Sequence, residues 1–208
     1  MILTSAATPK KTTARRGRPG YDRESLLSVC VKLFNERGYE ATSMEMLSDA
    51  LGISKSAIYH HVQSKEEILN QALDRALDSL EEVLGETLNS TDAGGERLDR
   101  AIRGTVSALI DQLPSVTLLL RLRGNSDIEK KALERRRELT RTFAKIVEQA
   151  QKDGAVRADF DSRAGARLIL GMINSIVDWY RPTGDYTKKD VQDNIVHMTF
   201  DGLRPPAN

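Results

Sequence analysis

The sequence predicts an all-α protein of about nine helices. Apolar residues recur at helical spacing almost throughout the 208 residues, no segment shows convincing strand alternation, and helix-capping patterns recur along the chain. Hydrophobic residues make up 39% of the chain and charged residues 29%. No apolar run approaches the roughly 18 residues of a membrane span. Because residues 1–20 also lack the apolar block of a secretory signal, we expect a soluble, cytoplasmic protein.

Three short helices are predicted within residues 22–65, where small polar residues and glycines punctuate the apolar pattern. Thr42 and Glu45 fit a capping box, in which each of two side chains at a helix start accepts a hydrogen bond from the other residue's backbone N–H group. The predicted caps, box and turns are, in order, Asp22, Gly38, the Thr42–Glu45 box that opens a helix from Ser43 to Leu51, Gly52, and Ser54 for a helix reaching about His61.

Longer amphipathic helices are predicted from residue 64 onward. Their boundaries are a Ser64–Glu67 capping box, a loop at 89–95, a break at Pro114, an interior segment at 115–123, a start at Ser126 with Glu129, an end near Gly154, a helix from Asp161 stopped by Pro182, and a last helix from Thr187 to about Leu203. We therefore expect a basic disordered arm at 1–20, a three-helix domain at 21–65 and a second helical domain at 66–208.

The most informative segment is MLSDALGISKSAIYHHV, Met46 to Val62. Two helices that cross at a tight turn need small residues where they touch and a glycine at the turn, and Ser48, Ala50 and Gly52 meet these needs. Apolar residues between them anchor both helices to the first. The exposed face of the third helix is then free to enter a DNA major groove, which predicts a helix-turn-helix.

These residues resemble the tetracycline-repressor (TetR) family of transcriptional regulators. The matching stretch covers Asp22 to about Leu73, and Ser48 stands where the family usually has alanine. The resemblance implies DNA contacts, with Thr42 and Ser43 at phosphates, Tyr59 and His61 at the backbone or adjoining bases, and Lys65 at a phosphate. The implied base-reading residues are Lys55, Ser56, Ala57 and His60. For Tyr59, His61 and Lys65, core packing or simple solvation is the alternative.

The N-terminal segment is basic. Residues 1–65 hold ten Lys and Arg residues against six Asp and Glu, although the whole chain carries a net charge of only +1. Arg15, Arg16 and Arg18 lie directly before the predicted DNA-reading unit, so they are candidates for a minor-groove arm. A plain solubilising tail is the alternative.

Enzyme and metal-site patterns are not found in the sequence. His60 and His61 are neighbours, which on a helix point about 100° apart, and no Cys or carboxylate at ligand spacing completes a site. There is no glycine-rich phosphate loop and no nucleophile elbow. We therefore expect no metal, no cofactor and no catalysis, and we interpret Cys30 as a buried structural thiol.

The C-terminal half is predicted to dimerise and to bind a small effector. A dimer is required to bind two DNA half-sites, and the helices within 161–203 are apolar on more than one face, although both could also be ordinary core. The resemblance implies a cavity whose ligand lowers affinity for a palindromic operator. Candidate lining residues, which could also be ordinary core, are Leu118, Leu119, Leu122, Phe143, Met172, Ile176, Trp179 and Tyr180.

The effector class is less defined. The stretch from Asp178 to Gly184 is similar to the end of helix eight in TetR-type regulators of fatty-acid, steroid and aromatic-acid catabolism. This similarity implies an acyl-CoA effector. A hydrophobic drug-like or aromatic compound is the alternative. Arg121 and Arg123 could pair with an anionic head group or simply be solvated. At the level of function, the competing hypotheses are a constitutive or architectural DNA-binding protein with no effector and a helical interaction module with a vestigial head.

Overall fold

The computed structural model describes residues 22–202, and over this range the chain is helical with no β-strand, which confirms the all-α prediction. Its ten helical segments are α1 (Arg23–Arg37), α2 (Met44–Leu51), α3 (Lys55–Tyr59), α4 (Lys65–Asn89), α5 (Gly94–Asp111), α6 (Leu113–Leu120), α7 (Asp127–Lys152), α8 (Ser162–Asn174), α9 (Ile176–Trp179) and α10 (Lys188–Phe200). None of these helices is both long and apolar enough to cross a bilayer. Arg15, Arg16 and Arg18 lie outside the described residues.

The three N-terminal helices pack around buried apolar side chains that are continuous with the core of the C-terminal helices. Asp22 caps α1 by accepting a hydrogen bond from the backbone N–H of Ser25, and Gly38 ends it at φ +88°. Gly52 adopts the left-handed conformation that turns the chain from α2 to α3. The side chains buried between the helices include Leu26, Cys30, Phe34, Leu47, Leu51 and Ile58. Burial raises the pKa of the Cys30 thiol to about 12, so this cysteine is an unreactive part of the core.

The predicted Thr42–Glu45 capping box is wrong by one residue. Ser43 is the N-cap of α2, and its hydroxyl accepts from the backbone N–H of Met46. The Thr42 side chain is 1% exposed and donates to the carbonyl of Gly38 at 2.8 Å. The reason is that the Thr42 hydroxyl is bonded to the residue that ends α1, which leaves Ser43 to cap α2.

The long helix α4 leads from the N-terminal unit into the C-terminal core. Ser64 caps it as predicted, but the Glu67 carboxylate reaches back to the N–H of Gln63 rather than that of Ser64. Helices α4, α5, α7 and α8 then pack around a shared apolar core. Fully buried side chains there include Leu84, Leu98, Ile102, Phe143 and Ile146.

Ion pairs tie the surface of these helices together. Arg135 on α7 binds three carboxylates of α4, those of Asp74, Asp78 and Glu81, at 2.5 to 2.8 Å. Arg103 on α5 binds Asp193 on α10 at 2.6 Å. Because each of these sites is partly screened by solvent, the pairs fix orientation more than they add stability.

The loop between α6 and α7 is fixed by a buried carboxylate. Glu129 is 4% exposed, and its Oε2 accepts hydrogen bonds from the backbone N–H groups of Arg123, Gly124 and Asn125. Ser126 caps α7 as the sequence predicts. Glu129 therefore serves the preceding loop as well as the start of its own helix.

The predicted helix from Asp161 to Pro182 is interrupted. It consists of α8 and the single turn α9, separated at Ser175, whose hydroxyl donates to the carbonyl of Met172 at 2.7 Å. Serine side chains compete for backbone hydrogen bonds in this way and favour breaks in helices. The break accounts for ten segments where about nine helices were predicted.

The N-terminal unit contacts the C-terminal core through α6. The side-chain amide of Asn35 on α1 donates to the carbonyl of Pro114 at 2.8 Å, and the Arg121 guanidinium donates to the carbonyl of Asn35 at 2.7 Å. Arg121 is thus engaged between helices. Pro114 lies in the first turn of α6, where a missing N–H has no cost.

Candidate DNA interface and effector cavity

Helices α2 and α3 form the predicted helix-turn-helix. The backbone N–H of Ile53 donates to the carbonyl of Ser48, which closes the turn around Gly52. Ser54 caps α3 by accepting from the N–H of Ala57. Within α3, Ile58 is fully buried and holds the helix on the core, so the opposite face is presented to solvent.

The outward face of α3 carries most of the predicted base-reading residues. Lys55, Ser56 and His60 are exposed, Ala57 is partly exposed, and Tyr59 exposes 47% of its surface. His61 is partly buried beyond the end of the helix. An exposed tyrosine beside a lysine and a histidine is a surface that can stack on, and donate hydrogen bonds to, a nucleic acid.

A shallow depression lies where the N-termini of α2 and α4 approach each other, and Ser43, Tyr59 and Lys65 line it together. The Lys65 ammonium donates to the carbonyl of Tyr39 at 3.0 Å and lies 4.3 Å from the centre of the Tyr39 ring. Burial, together with the nearby carboxylates of Glu66 and Glu40, raises the pKa of Tyr39 to about 12. This fixed cation beside two helix N-termini is suited to a phosphate. The buried Thr42 hydroxyl donates to the carbonyl of Gly38, and Thr42 also lines this depression, so its phosphate contact stays a prediction.

A second site is a cavity of about 190 Å³ between α4, α5, α6, α7 and α8. Its walls are mostly aliphatic, and its polar groups come from two arginines, two threonines and an asparagine. The lining residues are Leu80, Leu84, Thr105, Leu109, Val116, Leu119, Leu120, Arg136, Leu139, Thr140, Arg167, Leu170, Gly171 and Asn174.

The predicted lining residues are mostly elsewhere. Leu119 lines the cavity, whereas Leu118, Phe143, Ile176 and Tyr180 are buried in other parts of the core, Leu122 and Met172 are partly buried against it, and Trp179 is 47% exposed. The reason is helical phase, because α8 turns Arg167, Leu170, Gly171 and Asn174 toward the cavity and Met172 away from it.

Sequence reasoning missed Arg136, Arg167, Thr105 and Asn174 as cavity residues. Arg136 lies three and seven residues before Leu139 and Phe143 on the apolar face of α7, but Arg135 lies four and eight residues before them, so this spacing does not distinguish the two. A run of three arginines is typical of a solvated surface.

A third surface lies on the C-terminal helices. Leu168 is 72% exposed, and Trp179, Tyr186 and Met198 also present large apolar side chains to solvent. Within residues 22–202, no cluster of three or more His, Cys, Asp or Glu side chains is arranged to hold a metal ion.

Family models match both parts of the chain. Residues 26–72 match the model described as bacterial regulatory proteins of the tetR family, and residues 91–203 match the model described as a tetracyclin repressor-like C-terminal domain.

Individual relatives extend the likeness over nearly the whole length. The transcriptional repressor KstR2 of Rhodococcus jostii is 29% identical over 97% of this chain and 100% of its own. A solved TetR-family regulator of Streptomyces coelicolor A3 is 49% identical, with a TM-score of 0.80, over 86% of this chain and 91% of its own. AibR, solved with isovaleryl coenzyme A and operator DNA, is 26% identical, with a TM-score of 0.72, over 86% of this chain and 97% of its own.

The helix-turn-helix geometry and these matches, which together span both helical regions, lead to one conclusion. The chain belongs to the TetR family of bacterial transcriptional regulators, and it is a regulator rather than an enzyme.

Proposed function

We propose that this protein is a homodimeric, cytoplasmic repressor that binds a palindromic operator and is released from it by a small effector. The observation that carries the proposal is the outward face of α3, where Lys55, Tyr59 and His60 are exposed while Ile58 anchors the helix. Such a helix is held rigidly enough to read base edges, since its position is fixed by core packing. The repressor role is supported by its relative KstR2, which is a transcriptional repressor.

Dimerisation through residues 161–203 is supported by the apolar surface of α8 to α10. Leu168 on α8 and Trp179 on α9 expose 72% and 47% of their surface. Exposed apolar side chains grouped in this way are typical of a surface that meets another protein. A second copy of the chain is the proposed partner because two half-sites of a palindrome require two-fold symmetry.

An effector is supported by the cavity, whose lining residues are half leucines and whose walls include α4 and α6, the helices that contact α1. Its volume of about 190 Å³ is below the 300 to 1,000 Å³ of typical ligand pockets, so it suits a compact ligand or the acyl part of a larger one. AibR, which was solved with isovaleryl coenzyme A, supports an acyl-CoA. The alternatives are a hydrophobic or aromatic effector and a constitutive or architectural DNA-binding protein with no effector.

The DNA-binding proposal is tested by selection from a random duplex library with the purified full-length chain. We expect enrichment of a palindrome and affinity that falls steeply with salt. The variants Tyr59→Ala and Lys65→Ala should weaken binding while Glu86→Ala, a change on α4 away from this face, should not. Deletion of residues 1–18 should lower both affinity and its salt dependence.

Two results would contradict the proposal. A library with no enriched sequence would remove the DNA-binding role, and a monomeric mass by native mass spectrometry would remove the dimer. The same spectra show any co-purified effector, and a bare dimer whose DNA affinity no effector changes would favour the constitutive alternative.

A further inference from the structure

The most unusual charged group in the cavity is the guanidinium of Arg136. It is half-buried on the inner face of α7, and its hydrogen bond, to the carbonyl of Leu119, is long at 3.5 Å. Burial lowers the pKa of this arginine, with a smaller contribution from Arg137. In the stretch from 22 to 202, no carboxylate forms an ion pair with it, and no acidic residue lines the cavity.

Its neighbours on the same helix are fully paired. Arg135 binds three carboxylates of α4, while Arg137 and Arg141 bind Glu134 on the surface of α7. Moving a guanidinium out of water without a counter-charge destabilises the fold. Arg136 therefore lacks an anionic partner, which no residue from 22 to 202 supplies.

A second polar group in the cavity also lacks a partner. The hydroxyl of Thr105 on α5 is buried, with the residue 4% exposed, and makes no hydrogen bond. Other helical threonines satisfy this group locally: Thr87 and Thr140 each donate to the carbonyl four residues earlier. The cavity therefore contains an unpaired cation and a free hydroxyl donor, enclosed by leucine side chains.

We propose that the effector is a compact amphipathic anion, whose negative group binds Arg136 and accepts a hydrogen bond from Thr105 while its hydrocarbon part packs against Leu84, Leu109 and Leu139. This inference rests on the proposed effector site and narrows its ligand class. A free carboxylic acid supplies this anion as its carboxylate. The phosphates of a coenzyme A thioester are separated from the acyl group by the pantetheine chain, so they cannot share a cavity of about 190 Å³ with it. Arg167 at the exposed edge of the cavity adds a second positive charge for the carboxylate.

The ligand class is tested by calorimetry on the full-length protein without DNA. The probes are butyrate, hexanoate, octanoate, benzoate and 3-phenylpropionate, each beside its primary amide and its coenzyme A thioester. We expect at least one anion to bind and its neutral amide to bind about tenfold more weakly or worse. Binding of the acid supports the proposal, whereas binding of the thioester alone overturns it, because the thioester has no charge next to its acyl group. If no probe binds, or if amides bind as well as acids, the proposal is overturned.

Two variants locate the anion. Arg136→Met keeps the aliphatic length and removes the charge, so it should abolish the preference for the anion over the amide. Arg137→Met, which loses an exposed ion pair on the same helix, should keep that preference. An unchanged preference in Arg136→Met would overturn the assignment.

A measurement without ligand checks the unpaired state of Arg136. Because the variant removes an uncompensated guanidinium, Arg136→Met should raise the Tm of the free protein by a few degrees, and a lowered Tm would show that Arg136 is a structural partner instead. These assays contain no DNA. A protein that binds the anions but no duplex would therefore overturn the proposed function alone, and the reverse result would overturn this inference alone.

Discussion

The N-terminal helices α1 to α3 and the C-terminal helices α8 to α10 differ in how many large apolar side chains they expose to solvent. In the first region Tyr59 is the exposed large side chain, on the surface that faces the proposed DNA. In the second, Leu168, Trp179, Tyr186 and Met198 are all exposed, and Leu168 retains 72% of its accessible surface.

The difference indicates two kinds of partner. A surface that meets DNA needs a few polar and aromatic groups on a fully packed support, because most of its binding comes from charge and hydrogen bonds. A surface that meets protein needs apolar area, which remains uncovered in one chain alone. The exposed apolar side chains of α8 to α10 therefore indicate a surface that a protein partner covers, whereas the described N-terminal helices expose no comparable apolar surface.

The largest expected effect is on assembly. Leu168→Arg places a charge in the centre of the proposed interface and should weaken dimerisation by about 3 kcal/mol, roughly a hundredfold. Light scattering over a dilution series measures this, with Ala158→Arg, an exposed change off the α8 surface, as the control. If Leu168→Arg dimerises as strongly as the wild type, the apolar surface of α8 to α10 is not the dimer interface.

The next effect is on stability and should leave both surfaces intact. Glu129→Gln removes the charge that three backbone N–H groups bind, and we expect a loss of about 2 kcal/mol in the free energy of unfolding. Urea denaturation compares it with Glu138→Gln, which is exposed on α7. Equal losses in the two variants would show that the buried carboxylate has no special role.

A matched pair of tyrosines separates the two surfaces. Tyr59→Ala should weaken DNA binding about tenfold, or about 1.4 kcal/mol, with unchanged dimer mass. Tyr186→Ala, a similarly exposed tyrosine in contact with Trp179, should leave DNA binding unchanged when the protein is concentrated enough to be dimeric. Fluorescence anisotropy measures both, and a DNA defect in Tyr186→Ala alone would reverse the assignment.

The smallest effect is a pH dependence. Hydrogen bonds from Lys189 and Arg103 lower the pKa of Asp193 from 3.8 to about 2. The stabilisation from this group is complete above its unfolded pKa and is lost as pH falls toward 2. Asp193→Asn should therefore lose less stability than the wild type between pH 4 and pH 2, as followed by thermal denaturation. If the variant and the wild type lose the same stability, the interaction of Asp193 with Lys189 and Arg103 is not a source of acid sensitivity.

Features that depend on neighbours along the chain could be predicted from the sequence. Ser54, Ser64, Ser126 and Thr187 all cap helices where expected, because a cap requires only the backbone three residues ahead. The α5 break before Pro114 is also confirmed, since proline cannot donate within a helix.

Features that depend on remote partners could not be predicted. The roles of Arg135 and Arg136 differ only because one faces α4 and the other faces the cavity. Both are adjacent arginines in one run, so no local pattern separates them. The individual DNA contacts and the ligand contacts remain predictions for the same reason.

The two faces of helix α6 make different kinds of contact, one through side chains and the other through a main-chain carbonyl. Toward the cavity it presents the side chains of Val116, Leu119 and Leu120, whereas toward α1 the hydrogen bond from Asn35 ends on a main-chain carbonyl, that of Pro114. A carbonyl is present whatever residue occupies the position. Side chains on the cavity side of α6 can therefore change without loss of this acceptor, whereas the attachment of α1 to α6 still depends on the side chains of Asn35 and Arg121.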